Sequence, residues 1–139
     1  MTARYFADTN VLLYAGSNAR EDRQKREMAR RLLQHPAIGF SAQVAQEFYD
    51  AAVRKQRLAM THEDALTILQ ALRVYPVIPV SFDLVLRGIE LKERFRVSYW
   101  DAAILAAAQE LGCETVFSED LSDGQSYDGV RVENPFRDL

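Results

Sequence analysis

Short apolar runs alternate along this chain with longer segments whose apolar residues recur at helical spacing. Arg4–Ala7, Ala37–Phe40, Pro76–Val80, Glu114–Phe117 and Val130–Val132 read as strands. Val11–Ala15 reads as a short helix or turn, and Glu21–Gln34 as a helix that ends before Pro36. Ser41 is placed to cap a helix reaching about Arg57, and Ser81 one reaching about Phe95. Thr61-x-x-Asp64 opens a further helix to Val74. Ser98–Leu111 is the most apolar helix, closed by Gly112. Leu121–Gly129 reads as a polar loop. Strands alternating with helices predict an α/β fold with a parallel sheet covered on both faces.

Four acids stand out against that pattern. Asp8 ends the first strand and Asp120 follows the fourth, and ligands bind outside the carboxyl ends of such strands. Glu47 lies at the rim of the stripe Val44, Phe48, Ala51 and Ala52. Asp101 lies roughly a right angle from a stripe expected at Trp100, Ile104, Ala107 and Leu111. Acids so close to a core are costly unless a cation gathers them. A divalent metal is the simplest such cation, because hard ions take oxygen ligands. It would lower the pKa of a water and stabilise charge on a phosphodiester. A general-acid histidine is not required, and the two histidines, His35 and His62, both fall at helix ends.

Each acid also has an ordinary structural role open to it. Asp101 completes the pattern Ser98-x-x-Asp101, a capping box like that at Thr61. Asp8 can cap the segment after it, Asp120 can serve the turn Ser118-Glu119-Asp120, and Glu47 can be a surface acid. One shared purpose accounts for all four at once.

The 139 residues, 48% hydrophobic and 27% charged, are ordinary for a single globular domain spanning 1–139. The run Ala102–Ala108 is far too short to span a bilayer, and residues 1–10 lack the build of a signal peptide. Cys113 stands alone, so neither a disulfide framework nor a cysteine zinc site is available. A cytoplasmic protein is the expectation. The net charge is −3, and without the four acids the remainder is +1. Basic residues cluster at Arg20, Arg23, Lys25, Arg26, Arg30 and Arg31, and again at Arg54, Lys55 and Arg57. They either steer a phosphate backbone toward the acids or form solvated helix faces with Glu21, Asp22 and Glu27.

Phe6-Ala-Asp8-Thr9-Asn10-Val-Leu-Leu-Tyr14 resembles the opening of PIN domains. Ser41-Ala-Gln-Val-Ala-Gln-Glu47-Phe48, Ser98-Tyr-Trp-Asp101-Ala-Ala-Ile104 and Val116-Phe-Ser118-Glu-Asp120-Leu resemble the segments carrying that family's second, third and fourth acids. The tail Val130-Arg-Val-Glu-Asn134-Pro135-Phe136 is similar to the end of many bacterial members. The resemblance implies a three-layer α/β/α sandwich and a Mg²⁺- or Mn²⁺-dependent endoribonuclease of the VapC-like toxin group. Such toxins form homodimers and are silenced by a partner antitoxin whose C-terminal segment occupies the cleft. It further implies that Asp8, Glu47, Asp101 and Asp120 hold the metal and activate water. Thr9, Asn10 and Ser118 would orient carboxylates, water or phosphate. Glu119 and Asp123 compete with Asp120 for the fourth place, and the family's spacing from Ser118 favours Asp120.

Other small folds with acids fit less well. A phosphoacceptor receiver domain needs paired acids after its first strand, which Asp8 does not provide, and a lysine near its last strand; the lysines here are 25, 55 and 92. A haloacid-dehalogenase-like phosphatase needs a second aspartate where this chain has Asn10. The alternative from another class is a catalytically silent PIN-like module that binds RNA or protein. Leu32, Leu33, Phe48 and Tyr49 are either core or the groove for an antitoxin.

Overall fold

The computed structural model describes residues 1–139. Six strands form one sheet: β1 (Tyr5–Ala7), β2 (Ile38–Ser41), β3 (Val77–Ile78), β4 (Thr115–Phe117), β5 (Ser126–Tyr127) and β6 (Val130–Glu133). Six helices lie in pairs between the first four strands: α1 (Thr9–Gly16), α2 (Arg23–Leu33), α3 (Ala42–Arg54), α4 (His62–Ala71), α5 (Phe82–Phe95) and α6 (Tyr99–Leu111). The strand order is β3-β2-β1-β4-β6-β5. All pairs are parallel except β5 with β6. Helices α1 to α4 pack on one another, while α5 packs on α6, which lies against β2, β3, β4 and β6. The result is the expected α/β/α sandwich.

Sequence pattern explains most of these boundaries. Ser41, Thr61, Ser81 and Ser98 each accept a backbone N–H three residues on, so side chains cap α3 to α6. Gly112, at φ +79°, ends α6 in the left-handed conformation that glycine adopts without strain. The core gathers Phe6, Leu12, Ile38, Phe40, Val44, Phe48, Leu105, Leu111 and Val116, all essentially inaccessible to solvent. Cys113 is buried there too, and burial pushes its thiol up to about 12, so it stays protonated. No helix is long and apolar enough to cross a membrane.

The structure differs from the sequence reading in four places. The loop expected at Leu121–Gly129 contains β5, whose antiparallel pairing makes the sheet mixed at that edge. The strand at Pro76–Val80 shortens to Val77–Ile78, because Pro76 and Pro79 have no N–H for a ladder. The predicted helices around residues 21, 57 and 74 end or begin in separate 3₁₀ turns, Arg20–Asp22, Gln56–Leu58 and Leu72–Val74. Trp100, expected in the α6 stripe, is 64% exposed, because Ala102 to Ala108 bury every side of the helix after its first turn. The α3 stripe Val44, Phe48, Ala51 and Ala52 is buried as expected.

Gly39 permits the close approach that sets β2 and therefore the start of α3. A Cβ there would lie 2.8 Å from Ala3 Cβ, 3.1 Å from Leu111 Cδ1 and 3.2 Å from the Pro76 carbonyl oxygen. Gly39→Ala, a change that often stabilises a chain by restricting its unfolded state, should here destabilise by about 1–3 kcal/mol. Urea unfolding checks this; equal or greater stability of the variant contradicts the crowding.

Candidate active site

Strand order reverses at β1: its crossover through α1 and α2 leads to β2 on one side, while β4 pairs on the other. Such a switch point opens a crevice at the carboxyl ends of the two central strands. Asp8 and Ser118 sit at those ends. Asp8 is 4% exposed, yet both of its oxygens are engaged. Oδ1 accepts the Thr9 N–H at 2.7 Å, which caps α1, and Oδ2 accepts the Ser118 hydroxyl at 2.7 Å. Ser118 Oγ in turn accepts the backbone N–H of Asp120 at 3.1 Å and of Leu121 at 3.4 Å. One hydroxyl thus fixes the first acid and the turn that carries the fourth.

Glu47 and Asp101 arrive from the helices. Glu47, half-buried on α3, accepts the Thr9 hydroxyl at 3.4 Å and the Gln43 amide at 2.6 Å. Gln43 also donates to the Trp100 carbonyl at 3.3 Å, so one side chain ties α3 to the first turn of α6. Sequence reasoning passed over Gln43; its place one turn before Glu47 on a capped helix was the available signal. Ser98 accepts the Asp101 N–H, but the Asp101 carboxylate does not return to the Ser98 N–H. The Thr61 box is closed in both directions, so the capping role open to Asp101 is only half used. Its half-buried carboxylate is near enough to Asp120 to feel that residue's charge.

Neighbouring charge links the acids in pairs, with Asp120 and Glu47 acting on Asp8 and Asp120 acting on Asp101. Burial pushes Asp8 up to about 6; the Ser118 and Thr9 hydrogen bonds oppose the rise, and the charges of Asp120 and Glu47 add to it. Asp101 is likewise raised by burial, with the Ser98 hydroxyl opposing and the Asp120 charge adding. Asp120 itself is exposed and accepts the Asn10 amide at 3.1 Å. Asn10 Oδ1 is buried and has no protein partner.

The other two acids considered for the fourth place are engaged elsewhere. Glu119 accepts the Tyr14 hydroxyl at 2.6 Å and lies 3.3 Å from Lys25 Nζ, which sits over the Tyr14 ring. Asp123 accepts the Asn134 N–H and pairs with Arg137 at 2.9 Å, which holds its carboxyl below the usual range. Several members of the basic cluster are also structural: Arg26 donates to the Ser17 and Ala19 carbonyls, and Arg30 to that of Ala15. Of the residues weighed as an apolar groove, Phe48 is core, and Leu32, Leu33 and Tyr49 pack partly buried against it.

The donors suit a hard cation, being all oxygen, with one carboxylate desolvated and one amide oxygen unused. No three acidic, histidine or cysteine side chains converge tightly enough to chelate an ion unaided. That arrangement suits an ion that keeps several waters and takes one or two carboxylates at a time, as Mg²⁺ does. Beside the acids a cleft of about 350 Å³ is lined by Thr9, Asn10, Glu47 and Asp120 together with Arg54, Lys55 and Arg57.

Solved structures with this fold include VapC20 of Mycobacterium tuberculosis, a sarcin–ricin-loop-cleaving toxin (22% identity, TM-score 0.67, 84% of this chain and 91% of that one). A toxin–antitoxin complex from Klebsiella pneumoniae matches at 23% identity and TM-score 0.68 over 96% of this chain and 98% of that one. DNA-bound VapBC from Salmonella typhimurium matches at 16% identity and TM-score 0.68 over 96% and 99%. No curated protein matches the sequence significantly. The PIN domain family model matches residues 5–122, most of the 139, and the chain therefore belongs to the PIN domain family.

Proposed function

We propose that this protein is a divalent-metal-dependent endoribonuclease and the toxin of a toxin–antitoxin pair. The observation that carries this reading is a desolvated carboxylate, Asp8, at the switch point, with the charges of Glu47 and Asp120 acting on it and that of Asp120 acting on Asp101 as well. Asp8, Glu47, Asp101 and Asp120 would hold Mg²⁺, with Mn²⁺ as its substitute. The ion would supply a Lewis acid and a water of lowered pKa. Ser118 holds the Asp8 carboxylate and the Asp120 turn in register, Thr9 bridges Asp8 to Glu47, and Asn10 orients Asp120. The solved relatives named as toxins or toxin–antitoxin complexes support an RNA substrate and an antitoxin partner. A homodimer belongs to the same reading, and the exposed face Phe82, Leu86 and Ile89 of α5 is an apolar surface available to it.

The direct test is cleavage of end-labelled total RNA with Mg²⁺ or Mn²⁺. Discrete fragments should form, vanish with EDTA and vanish in Asp101→Asn. Ser118→Ala should keep the same fragments at a rate about 10–100-fold lower, as expected for a group that orients a ligand. RNA left intact by folded, metal-loaded protein would move the assignment to a binding module.

Asp8 also makes stability depend on pH. Its folded pKa, about 6, lies above the ordinary 3.8, so the folded state holds the proton more tightly. In EDTA its stabilising share should be complete below pH 4 and lost as pH rises through 6, a change of about 3 kcal/mol. Urea titrations of wild type against Asp8→Asn isolate that share; parallel pH profiles would contradict it. Added Mg²⁺ should raise the melting temperature more at pH 7 than at pH 5, because the ion must displace the proton. Asp8→Asn should lose much of that response.

A further inference from the structure

The cations of the cleft are not equivalent. Arg54 pairs at 3.3 Å with Asp50, and both side chains are largely exposed. Such a pair is loose and easily exchanged for solvent. Arg57 is held differently. Its Nη1 lies 3.5 Å from the exposed Glu21 carboxylate and donates at 2.9 Å to Oδ2 of Asp22, a carboxylate only 5% exposed. The same oxygen accepts the Ser17 hydroxyl at 2.6 Å, and fully buried Ser17 also receives the Ala19 N–H. Arg26 fastens that corner by donating to the Ser17 and Ala19 carbonyls. Arg57 Nε and Nη2 carry no protein hydrogen bond, and the side chain, about half exposed, lines the same cleft as Glu47 and Asp120.

A buried acid that engages one corner of an arginine leaves the remaining donors presented in a fixed plane, the geometry that reads a phosphate with two parallel bonds. We infer that Arg57, braced by Asp22 and Ser17, is a preset phosphate-binding group for the RNA strand beyond the nucleotide attacked, with Asp22 as its positioning residue. The inference rests on the nuclease reading and adds the direction of the strand. With the scissile phosphate over the four acids, the chain runs across α3 toward Gln56–Leu58. The acids and a fixed guanidinium in one cleft then accept separate phosphates of the same strand.

Charge arithmetic and positioning predict opposite outcomes for Asp22→Asn. Removing an acid beside the cleft should strengthen RNA binding if only total charge matters. If Asp22 positions Arg57, binding weakens although negative charge has been removed. The probe is a labelled single-stranded RNA 20-mer, titrated across KCl in EDTA onto full-length protein carrying Asp101→Asn. On that background Arg57→Ala should weaken binding about tenfold and lower the salt slope by about 0.7, one phosphate contact on a single strand. Asp22→Asn should weaken it several-fold. Arg57→Lys, which keeps the charge, should also weaken it while retaining the slope, and this variant serves if Asp22→Asn unfolds below assay temperature. Tighter binding by Asp22→Asn, or unchanged binding by Arg57→Ala, overturns the inference. Parallel cleavage of total RNA by protein with Asp101 intact separates the two readings. Cutting by wild type and Arg57→Ala alike rejects only the Arg57 role. Wild type that neither binds nor cuts rejects the nuclease reading and this inference with it.

Discussion

Burial of one carboxylate organises this molecule. Asp8 must sit where β1 ends, because the sheet's order reverses there and Phe6 and Ala7 before it are core. Desolvation opposes its charge, and two hydrogen bonds offset only part of that opposition. The residual cost explains the surroundings. Ser118 is fully buried yet has partners for both its donor and acceptor roles, and Thr9 supplies a backbone N–H from the start of α1. A fold built only for stability would place an apolar residue at this position. Retaining the acid makes sense if its charge is used.

Around that point the other acids are graded rather than equivalent. Asp8 is fixed by two donors, Glu47 by the Gln43 amide and the Thr9 hydroxyl, Asp120 by one amide from exposed solvent, and Asp101 by no protein donor beyond the nearby Ser98 hydroxyl. In the proposed reaction the rigid groups would define where charge is received, and the freer ones would turn as a phosphate enters. Among the cations of the cleft the order is the same. Arg57 is braced by a buried acid, and Arg54 is paired only at the surface.

Much of this was legible in the sequence because it depends on local pattern. Strand ends, serine caps and the α3 stripe are set by neighbours within a turn or two, and they place Asp8, Glu47 and Asp120. Trp100 was misplaced because Ala102–Ala108 is apolar on all sides, and a stripe cannot be phased from a helix without a polar face. The β5 strand was missed because two residues carry no period, and its pairing depends on Val130 across a turn. Gln43 and Asp22 were missed for a different reason. Their partners lie 57 and 35 residues away, at Trp100 and Arg57, and only the folded chain brings each pair together.

The turn bearing Asp120 is fastened from both directions. Ser118 N–H donates to the Glu133 carbonyl, Asp123 clasps Asn134 and Arg137, and buried Phe136 packs edge-on against Tyr14 beside Lys25 and Glu119. During synthesis, residues 1–120 leave the ribosome before any of those fasteners exist. A nascent chain therefore carries every acid of the cleft without the geometry to use them. The geometry of the cleft is complete only when residues 133–137 have emerged and folded back against the turn after β4.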